Sequence, residues 1–243
     1  MKVSIHQPDL MPWAGFFIKI VKCDLFIVLD HVENNPRDAA FWGRRVKILS
    51  GRGVTWLSLP LKKDGYEKRL GIPINEIEYN VLLEDRFEQA RSLLINSYRN
   101  HPFFDQVWDD IDSFFKSDKR FLGTRNMDLI RLLMERLDIN PKIIRSSELR
   151  AEGKGSQLLV NLMSAVGGTT YVSGVGAKAY MDEKLFERAG IVIEYNSFTH
   201  PNYVQYGSRL LIEGLSLVDM AMNIGYNKTS RLLKSYRSDY VAE

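Results

Sequence analysis

Cysteine is nearly absent from this chain: Cys23 is the single example among 243 residues. An intramolecular disulfide is therefore excluded, which fits a protein that folds in a reducing compartment. Cys23 lies among Ile20, Val21 and Leu25. This apolar neighbourhood indicates a thiol packed in a core, with a catalytic cysteine as the less common alternative.

Long hydrophobic runs are also missing. No run approaches the roughly 20 apolar residues that a membrane-spanning helix needs. The first residues lack the basic start and the long apolar stretch of a secretory signal. We therefore expect a cytoplasmic protein that does not insert directly into a membrane.

Neither sign of charge dominates: 33 Lys and Arg residues stand against 30 Asp and Glu residues, a formal net charge of +3. General nucleic-acid binding usually needs a concentrated basic face, so we expect no DNA partner. Basic residues do cluster locally, at 44–47 and at 62–69. A solvated surface is the ordinary explanation of such clusters.

The common signatures of catalysis and cofactor binding are absent as well. The segment 153–156 contains a Gly-Lys pair but lacks the spaced first glycine of a phosphate-binding P-loop. Neither a nucleophile elbow nor a GxGxxG fingerprint occurs. The four histidines share no ligand spacing, so the sequence predicts neither a metal site nor a cofactor.

Against these absences, the first thirty residues carry a clear pattern. A short apolar run over 3–5 ends in His6-Gln7-Pro8, and a proline-opened amphipathic segment follows over 12–22. A second apolar run over 25–29 ends in Asp30. The pattern predicts a β-α-β unit with polar groups at the carboxyl edge of a parallel sheet, the edge at which open α/β sheets bind ligands.

Helix and strand patterns alternate through the rest of the chain. The periodicity predicts a hairpin of 45–49 and 54–59, helices over 84–138, a strand at 142–145, a helix over 156–165, a strand at 171–173, a helix from about 178 to 189, a strand at 191–195, and a helix over 216–223 with a fraying tail from 227. We therefore predict one α/β domain over 1–243. It has a mostly parallel, Rossmann-like sheet with flanking helices, and a helical insertion or subdomain around 84–138.

Two histidines stand where an apolar run meets a loop: His6 before Gln7-Pro8, and His200 before Pro201. If both runs belong to one parallel sheet, the two imidazoles converge at one edge. Imidazole exchanges protons near neutral pH, so converging histidines suit acid–base catalysis. The alternative is that each ring hydrogen-bonds a carbonyl and pins a loop.

Further polar residues are candidates for binding a ligand. Asp30 ends a predicted strand, where an acid orients a ligand or caps a loop. Arg44 and Arg45 offer planar paired donors suited to phosphate, with solvation as the alternative. Ser173 and Gly174 open a glycine-rich link from a strand to a predicted helix, whose N-terminus would attract an anion; simple turn geometry is the alternative.

Together these pieces resemble the WbqC-like protein family, which is found among bacterial surface-polysaccharide and O-antigen biosynthesis functions. The resemblance is carried, in order along the chain, by Ile5-His6-Gln7-Pro8, the segment 11–17, the strand 24–30, Trp56-Leu57-Ser58-Leu59-Pro60, Tyr171-Val172-Ser173-Gly174 and Phe198-Thr199-His200-Pro201. The association with surface glycans implies a nucleotide-activated sugar as the substrate.

The resemblance implies a cytoplasmic transferase that moves an acyl or aminoacyl group onto a nucleotide-linked amino sugar. In that reaction His6 would be the general base, Asp30 would orient the sugar or the base, and His200 would assist. The predicted substrate-binding residues are Gln7, Trp13, Arg44, Arg45, Ser173, Gly174 and Tyr203. The alternative function is a non-catalytic protein that binds a nucleotide sugar or holds a pathway enzyme.

Overall fold

A five-stranded sheet in which every strand pair is parallel forms the centre of the structure. This computed structural model describes residues 1–35, 38, 41–63 and 71–237. The strands are β1 Lys2–His6, β2 Leu25–Val28, β3 Glu33–Asn34, β4 Arg45–Ser50, β5 Gly53–Ser58, β6 Ile72–Pro73, β7 Lys142–Arg145, β8 Thr170–Gly174 and β9 Val192–Asn196. The helices are α1 Ala14–Val21, α2 Glu84–Tyr98, α3 Phe104–Lys116, α4 Leu122–Arg136, α5 Gly155–Ala165, α6 Glu183–Arg188 and α7 Leu217–Lys234.

The strand order in the central sheet is β7-β2-β1-β8-β9, which confirms the predicted parallel α/β fold. Numbered by appearance in this sheet, the order is 3-2-1-4-5, that of a doubly wound α/β sheet. After β1 the chain adds β2 and β7 on one side of it, and then adds β8 and β9 on the other side. The crevice between the ends of β1 and β8 is therefore the point at which such sheets bind ligands.

The inner strands of the sheet are covered on both faces: β2 is wholly apolar and buried, and the three central residues of β1 and of β8 are buried. Phe26 and Val28 pack into one cluster with α1, α7 and the helices of 84–138. Val3, Leu25 and Ile27 belong to a second cluster with α5 and α6. Parallel strands read as continuous apolar runs for this reason, since both faces are covered by helices.

The expected helical segment 84–138 is present as α2, α3 and α4. It shares one apolar cluster with α1 and the sheet. One polar link to α7 is Asp110 of α3, which accepts a hydrogen bond from Tyr226 of α7 at 2.8 Å and two from Arg136 of α4 at 2.8 and 2.9 Å. The expected hairpin also forms, as β4 paired antiparallel with β5. Among the residues described, none of the helices combines the length and apolarity that crossing a bilayer requires.

Two helix boundaries differ from the prediction. The helix expected from about 178 begins at Glu183, because Asp182 caps it by accepting a hydrogen bond from the Lys184 amide at 3.2 Å. Residues Val175–Ala179 form a 3₁₀ turn instead. The tail expected to fray from 227 is helical to Lys234, because α7 resumes after the break at Gly225 and buries Leu233.

Candidate functional site

A cavity of about 1050 Å³ opens at the carboxyl ends of β1, β8 and β9. His6 and Gln7 line it from β1, Ser173 and Gly174 from β8, and Asn196 from β9. The cavity therefore lies where the strand order reverses, at the predicted edge of the sheet. The structure brings together six of the ten predicted site residues here: His6, Gln7, Trp13, Ser173, Gly174 and His200.

His6 forms part of the cavity wall, with a third of its side chain (33%) exposed. Its Nδ1 lies 2.9 Å from the carbonyl oxygen of Gln7, which only accepts hydrogen bonds, so Nδ1 carries the proton and Nε2 is left with a lone pair. The ring also meets Phe16 edge-on, at 5.0 Å between centroids. Burial, and secondly the Lys19 ammonium, lower the pKa of His6 to about 3, so the ring is neutral at physiological pH.

Lys19 is a cavity residue that the sequence analysis did not single out. It occupies an otherwise apolar α1, is only 6% exposed, and donates from Nζ to the carbonyl of Ile5 at 3.2 Å. Burial lowers its pKa to about 8. Of the described residues that line the cavity, Lys19 is the one lysine or arginine. One signal was available: a single lysine inside an apolar helical run is unusual, since lysines normally lie on the solvated face.

Asp9 lies behind His6 and was also missed. Its Oδ2 is 3.7 Å from His6 Nδ1, and the residue is 7% exposed. Burial raises the pKa of Asp9 to about 7, an effect opposed by the Lys19 charge. Asp9 and Lys19 therefore have pKa values at or just above neutral pH, and both lie near a histidine that stays uncharged. We call His6, Asp9 and Lys19 the charge cluster.

His200 lines the opposite part of the cavity on the connection after β9. Its Nδ1 lies 3.1 Å from the Pro201 carbonyl, which fixes the same tautomer as in His6. Its Nε2 is buried and has no hydrogen-bond partner among the described residues. Both rings therefore make the carbonyl contact that the loop-pinning alternative required, and both also line the cavity.

An aromatic wall stands beside the histidines. Trp13 and Phe198 lie with ring centroids 5.6 Å apart, and both line the cavity. Gly15 permits this arrangement, because a Cβ there would lie 2.5 Å from Trp13 Cη2 and 2.7 Å from Phe198 Cζ. Flat apolar faces at a cavity wall suit a ligand that contains an aromatic or sugar ring.

The Ser173-Gly174 link does not lead into a helix N-terminus, which corrects the anion site expected there. Residues Val175–Ala179 turn as a 3₁₀ segment, and α6 begins only at Glu183. The first turns of two other helices line the cavity: α1 through Gly15 and Phe16, and α5 through Gly155 and Ser156. Ser173 itself is buried at the cavity wall.

The structure places four predicted site residues away from the cavity wall: Asp30, Arg44, Arg45 and Tyr203. Asp30 is buried and accepts hydrogen bonds from Ser146 and Ser147, at 2.9 to 3.0 Å, in the 3₁₀ turn after β7. It therefore ties the end of β2 to the neighbouring strand. Tyr203 donates to Asp219 at 2.8 Å within a buried network under α7.

The two arginines lie at the start of the β4–β5 hairpin. Arg44 donates from Nε to the Leu59 carbonyl at 3.2 Å. The Arg45 guanidinium lies over the Trp56 ring, 3.5 Å from its centroid. Neither arginine lines the cavity, which corrects the phosphate-binding role predicted for them. The cationic group at the cavity wall is Lys19 instead. Among the described residues, no group of three or more His, Cys, Asp or Glu side chains is arranged to hold a metal ion.

Comparison with known proteins gives a relative of nearly the same length. The relative, named "Uncharacterized protein Rv1507c", is from Mycobacterium tuberculosis (strain ATCC 25618 / H37Rv). It is 28% identical to the present chain over 233 residues. The alignment covers 92% of this chain and 94% of the relative. No solved structure matches the chain significantly. The sequence model of the WbqC-like protein family matches residues 7–231, from the end of β1 into α7, and the chain belongs to that family.

Proposed function

We propose that this protein is a transferase that moves an acyl or aminoacyl group onto the amine of a nucleotide-activated amino sugar in surface-polysaccharide biosynthesis. The observation that carries the proposal is the charge cluster: His6 and Lys19 line the cavity, and Asp9 lies behind His6. Amide formation at an amino sugar needs a group that removes a proton near neutral pH. Asp9 and Lys19 have pKa values of about 7 and about 8, which suits that task.

The size and lining of the cavity support a substrate as large as a nucleotide sugar. Its volume of about 1050 Å³ is at the upper end of the usual range for small-molecule sites. Trp13 and Phe198 offer ring faces, while Ser173 and Asn196 offer polar groups at the strand ends. An apolar wall with a few convergent polar groups is the usual composition of such a site.

In the proposed step, the neutral sugar amine attacks the acyl carbon of an activated ester or thioester. The new C–N bond forms as the bond from the acyl carbon to the leaving oxygen or sulfur breaks. The proton lost by the nitrogen passes to the charge cluster through His6 Nε2 and then to the leaving group.

One observation favours the alternative, a protein that binds a nucleotide sugar without catalysis. A pKa of about 3 makes His6 alone a weak proton acceptor at neutral pH. If Asp9 and Lys19 do not exchange protons with the ligand, His6 Nε2 only accepts a hydrogen bond from it. Binding and turnover must therefore be measured separately.

Calorimetric titration of the purified chain with UDP-, dTDP- and GDP-linked 4-amino sugars tests binding. Saturable binding of one of these sugars that His6→Ala and Trp13→Ala weaken is the expected result. His31→Ala is the matched control, because His31 bonds Ser146 and lies outside the cavity wall. Absence of binding to every nucleotide sugar would contradict both the transferase and the alternative.

Turnover is tested with the bound sugar and acyl or aminoacyl thioesters, followed by mass spectrometry of the N-acylated product. We expect Lys19→Met to lower kcat at least tenfold with a smaller effect on KM. Product formation at the uncatalysed rate, with binding intact, would reject the transferase and leave the binding protein.

A further inference from the structure

The β4–β5 hairpin presents two different faces. Val46, Ile48 and Leu57 point inward and are at most 2% exposed. Arg45, Lys47 and Trp56 alternate with them and belong to the outer face, where Lys47 and Trp56 pair directly across the two strands. The outer face of a half-buried hairpin is normally polar, so a tryptophan at its centre calls for an explanation.

Two tryptophans lie together on this face. Trp56 is 38% exposed, and Trp42 from the preceding segment is 44% exposed, with the ring centroids 5.3 Å apart. The Arg45 guanidinium lies 3.5 Å from the Trp56 centroid, and Lys47 Nζ lies 5.3 Å from it. We call Trp42, Arg45, Lys47 and Trp56 the aromatic–cationic face.

The hairpin is also strongly basic. The segment 44–58 contains four cationic residues, Arg44, Arg45, Lys47 and Arg52, and no acidic residue. Its formal charge of +4 exceeds the +3 of the whole chain, so the remaining residues have a net charge of −1. Positive charge is therefore concentrated on this one element, although the chain as a whole is nearly neutral.

We propose that the aromatic–cationic face binds an unpaired nucleic-acid strand. Bases of a single strand expose their faces and stack on tryptophan or on a guanidinium plane, while lysine and arginine neutralise phosphates. A duplex hides its base faces, so it would contact the cationic side chains but could not stack on the tryptophans. A solvated basic surface explains the charges but not two adjacent exposed indoles, whose apolar area is costly in water.

This face is separate from the cavity. Its four side chains are absent from the cavity wall, and the two histidines of that wall, His6 and His200, are absent from the hairpin. The inference therefore stands or falls independently of the proposed transferase. The charge of the whole chain does not favour general nucleic-acid binding, whereas the aromatic–cationic face is a local feature of one hairpin and the segment before it.

Fluorescence anisotropy with end-labelled 12-residue oligonucleotides tests the proposal on the full chain. The probes are oligo(U), oligo(dT) and a 12-base-pair duplex, each titrated at 50 and 200 mM salt. We expect single strands to bind at least tenfold more tightly than the duplex. Binding should also weaken as salt rises, because phosphate neutralisation releases counterions. A preference for ribose or deoxyribose would identify which strand is the ligand.

Variants locate the binding site. Trp56→Ala and Arg45→Glu are each expected to weaken single-strand binding about tenfold, the range for losing one stacked base. Trp56→Phe retains a ring face and should restore most of the affinity. Phe121→Ala is the matched control, since Phe121 is 39% exposed, lies beside Arg120 and is not part of the aromatic–cationic face. His6→Ala should also leave binding unchanged.

Three results would overturn the proposal. The first is no single-strand binding at 50 mM salt. The second is equal affinity for duplex, single strand and inorganic polyphosphate, which would mean ion exchange only. The third is single-strand binding that Trp56→Ala and Arg45→Glu leave unchanged while both variants retain the native thermal unfolding midpoint.

Discussion

A lysine buried beside a histidine sets the electrostatics of the site. Lys19 has little solvent to stabilise its charge, and its ammonium donates a hydrogen bond to the Ile5 carbonyl, which carries no formal charge. Its positive charge disfavours a second positive charge on His6. His6 is therefore neutral for two reasons: its ring is buried, and the positive charge of Lys19 in α1 disfavours its protonation.

Replacing Lys19 with methionine tests this coupling. We expect Lys19→Met to raise the pKa of His6 from about 3, yet to leave it below 6.5, because burial is the larger cause of the shift. Titration of the imidazole signals by NMR measures this pKa directly. Lys22→Met is the control, since Lys22 follows the same helix but bonds Asn196 instead. An unchanged His6 pKa in Lys19→Met would refute the coupling.

A second prediction concerns Asp30, which the sequence suggested for the site. Asp30→Asn should lower the free energy of unfolding by about 1–3 kcal/mol, because the amide nitrogen cannot accept the hydrogen bonds that the carboxylate accepts. Urea unfolding gives the change. Asp24→Asn, at an exposed carboxylate with one backbone donor, should cost less. If Asp30→Asn lowers ligand affinity without lowering stability, Asp30 has a role in binding rather than in folding.

The strand-end residues were predictable, whereas the supporting charges were not. His6, Ser173 and Gly174 lie at the cavity because strand order brings the ends of β1 and β8 together. Lys19 is assigned to the cavity only by the packing of α1 between the sheet and α7, which helical periodicity does not specify. Arg44 and Arg45 lie close in sequence to the polar loop, but the hairpin turns them to a different surface.

At the scale of the elements, the clearest local requirement is the break in α7. Gly225 has φ 74° and ψ 166°, a conformation that is nearly exclusive to glycine. A Cβ at this position would lie 2.8 Å from the Phe103 ring. The helix changes direction at Gly225, and Tyr226, which follows the break, donates from its hydroxyl to Asp110 of α3 at 2.8 Å.

Gly225→Ala should therefore lower the free energy of unfolding by about 2 kcal/mol or more, from backbone strain and the contact with Phe103. Thermal and urea unfolding measure this loss. Gly51→Ala is the control, because a Cβ at Gly51 meets nothing within 4 Å. Equal stability of the two variants would show that the break in α7 is not strained by a side chain.

Sequence periodicity recovered most elements but not the resumption of α7. Gly225 reads as a helix end, since glycine commonly follows a last helical turn. Thr229 and Leu233 are buried after Gly225, so the buried side of the helix continues past the break. Their burial depends on tertiary packing, which the sequence periodicity does not reveal. Similarly, Gly174 and Gly176 read as a helix entry, whereas the helix-capping residue is Asp182.

For the whole molecule, the buried charge cluster makes stability depend on pH. Folding raises the pKa of Asp9 from 3.8 to about 7, so the folded state holds a proton that the unfolded state has released in this window. Asp9 therefore costs increasing stability as pH rises from about 4 to 7. His6 acts in the opposite sense, because its stabilising contribution is lost as pH falls from 6.5 towards 3.

Asp9→Asn separates these opposing contributions. Relative to the native chain, the variant should gain about 2–4 kcal/mol of unfolding free energy between pH 4 and pH 7, since the penalty for ionising the buried carboxylate is gone. The His6 contribution is common to both proteins and largely cancels. Urea unfolding at several pH values gives the difference. A difference that stays constant with pH would mean that Asp9 is ionised in the folded state at pH 4.

The position of β1 in the middle of the sheet has a consequence for biosynthesis. Val3 pairs with Leu25 on one side, but on the other side Val3 pairs with Tyr171. At ordinary translation speeds the ribosome needs on the order of ten seconds to make the intervening residues. During that time β1 is an open edge, which other strands can pair with wrongly. The cavity becomes complete only with the arrival of β8 and β9, so a nascent chain acquires this candidate site late in its synthesis.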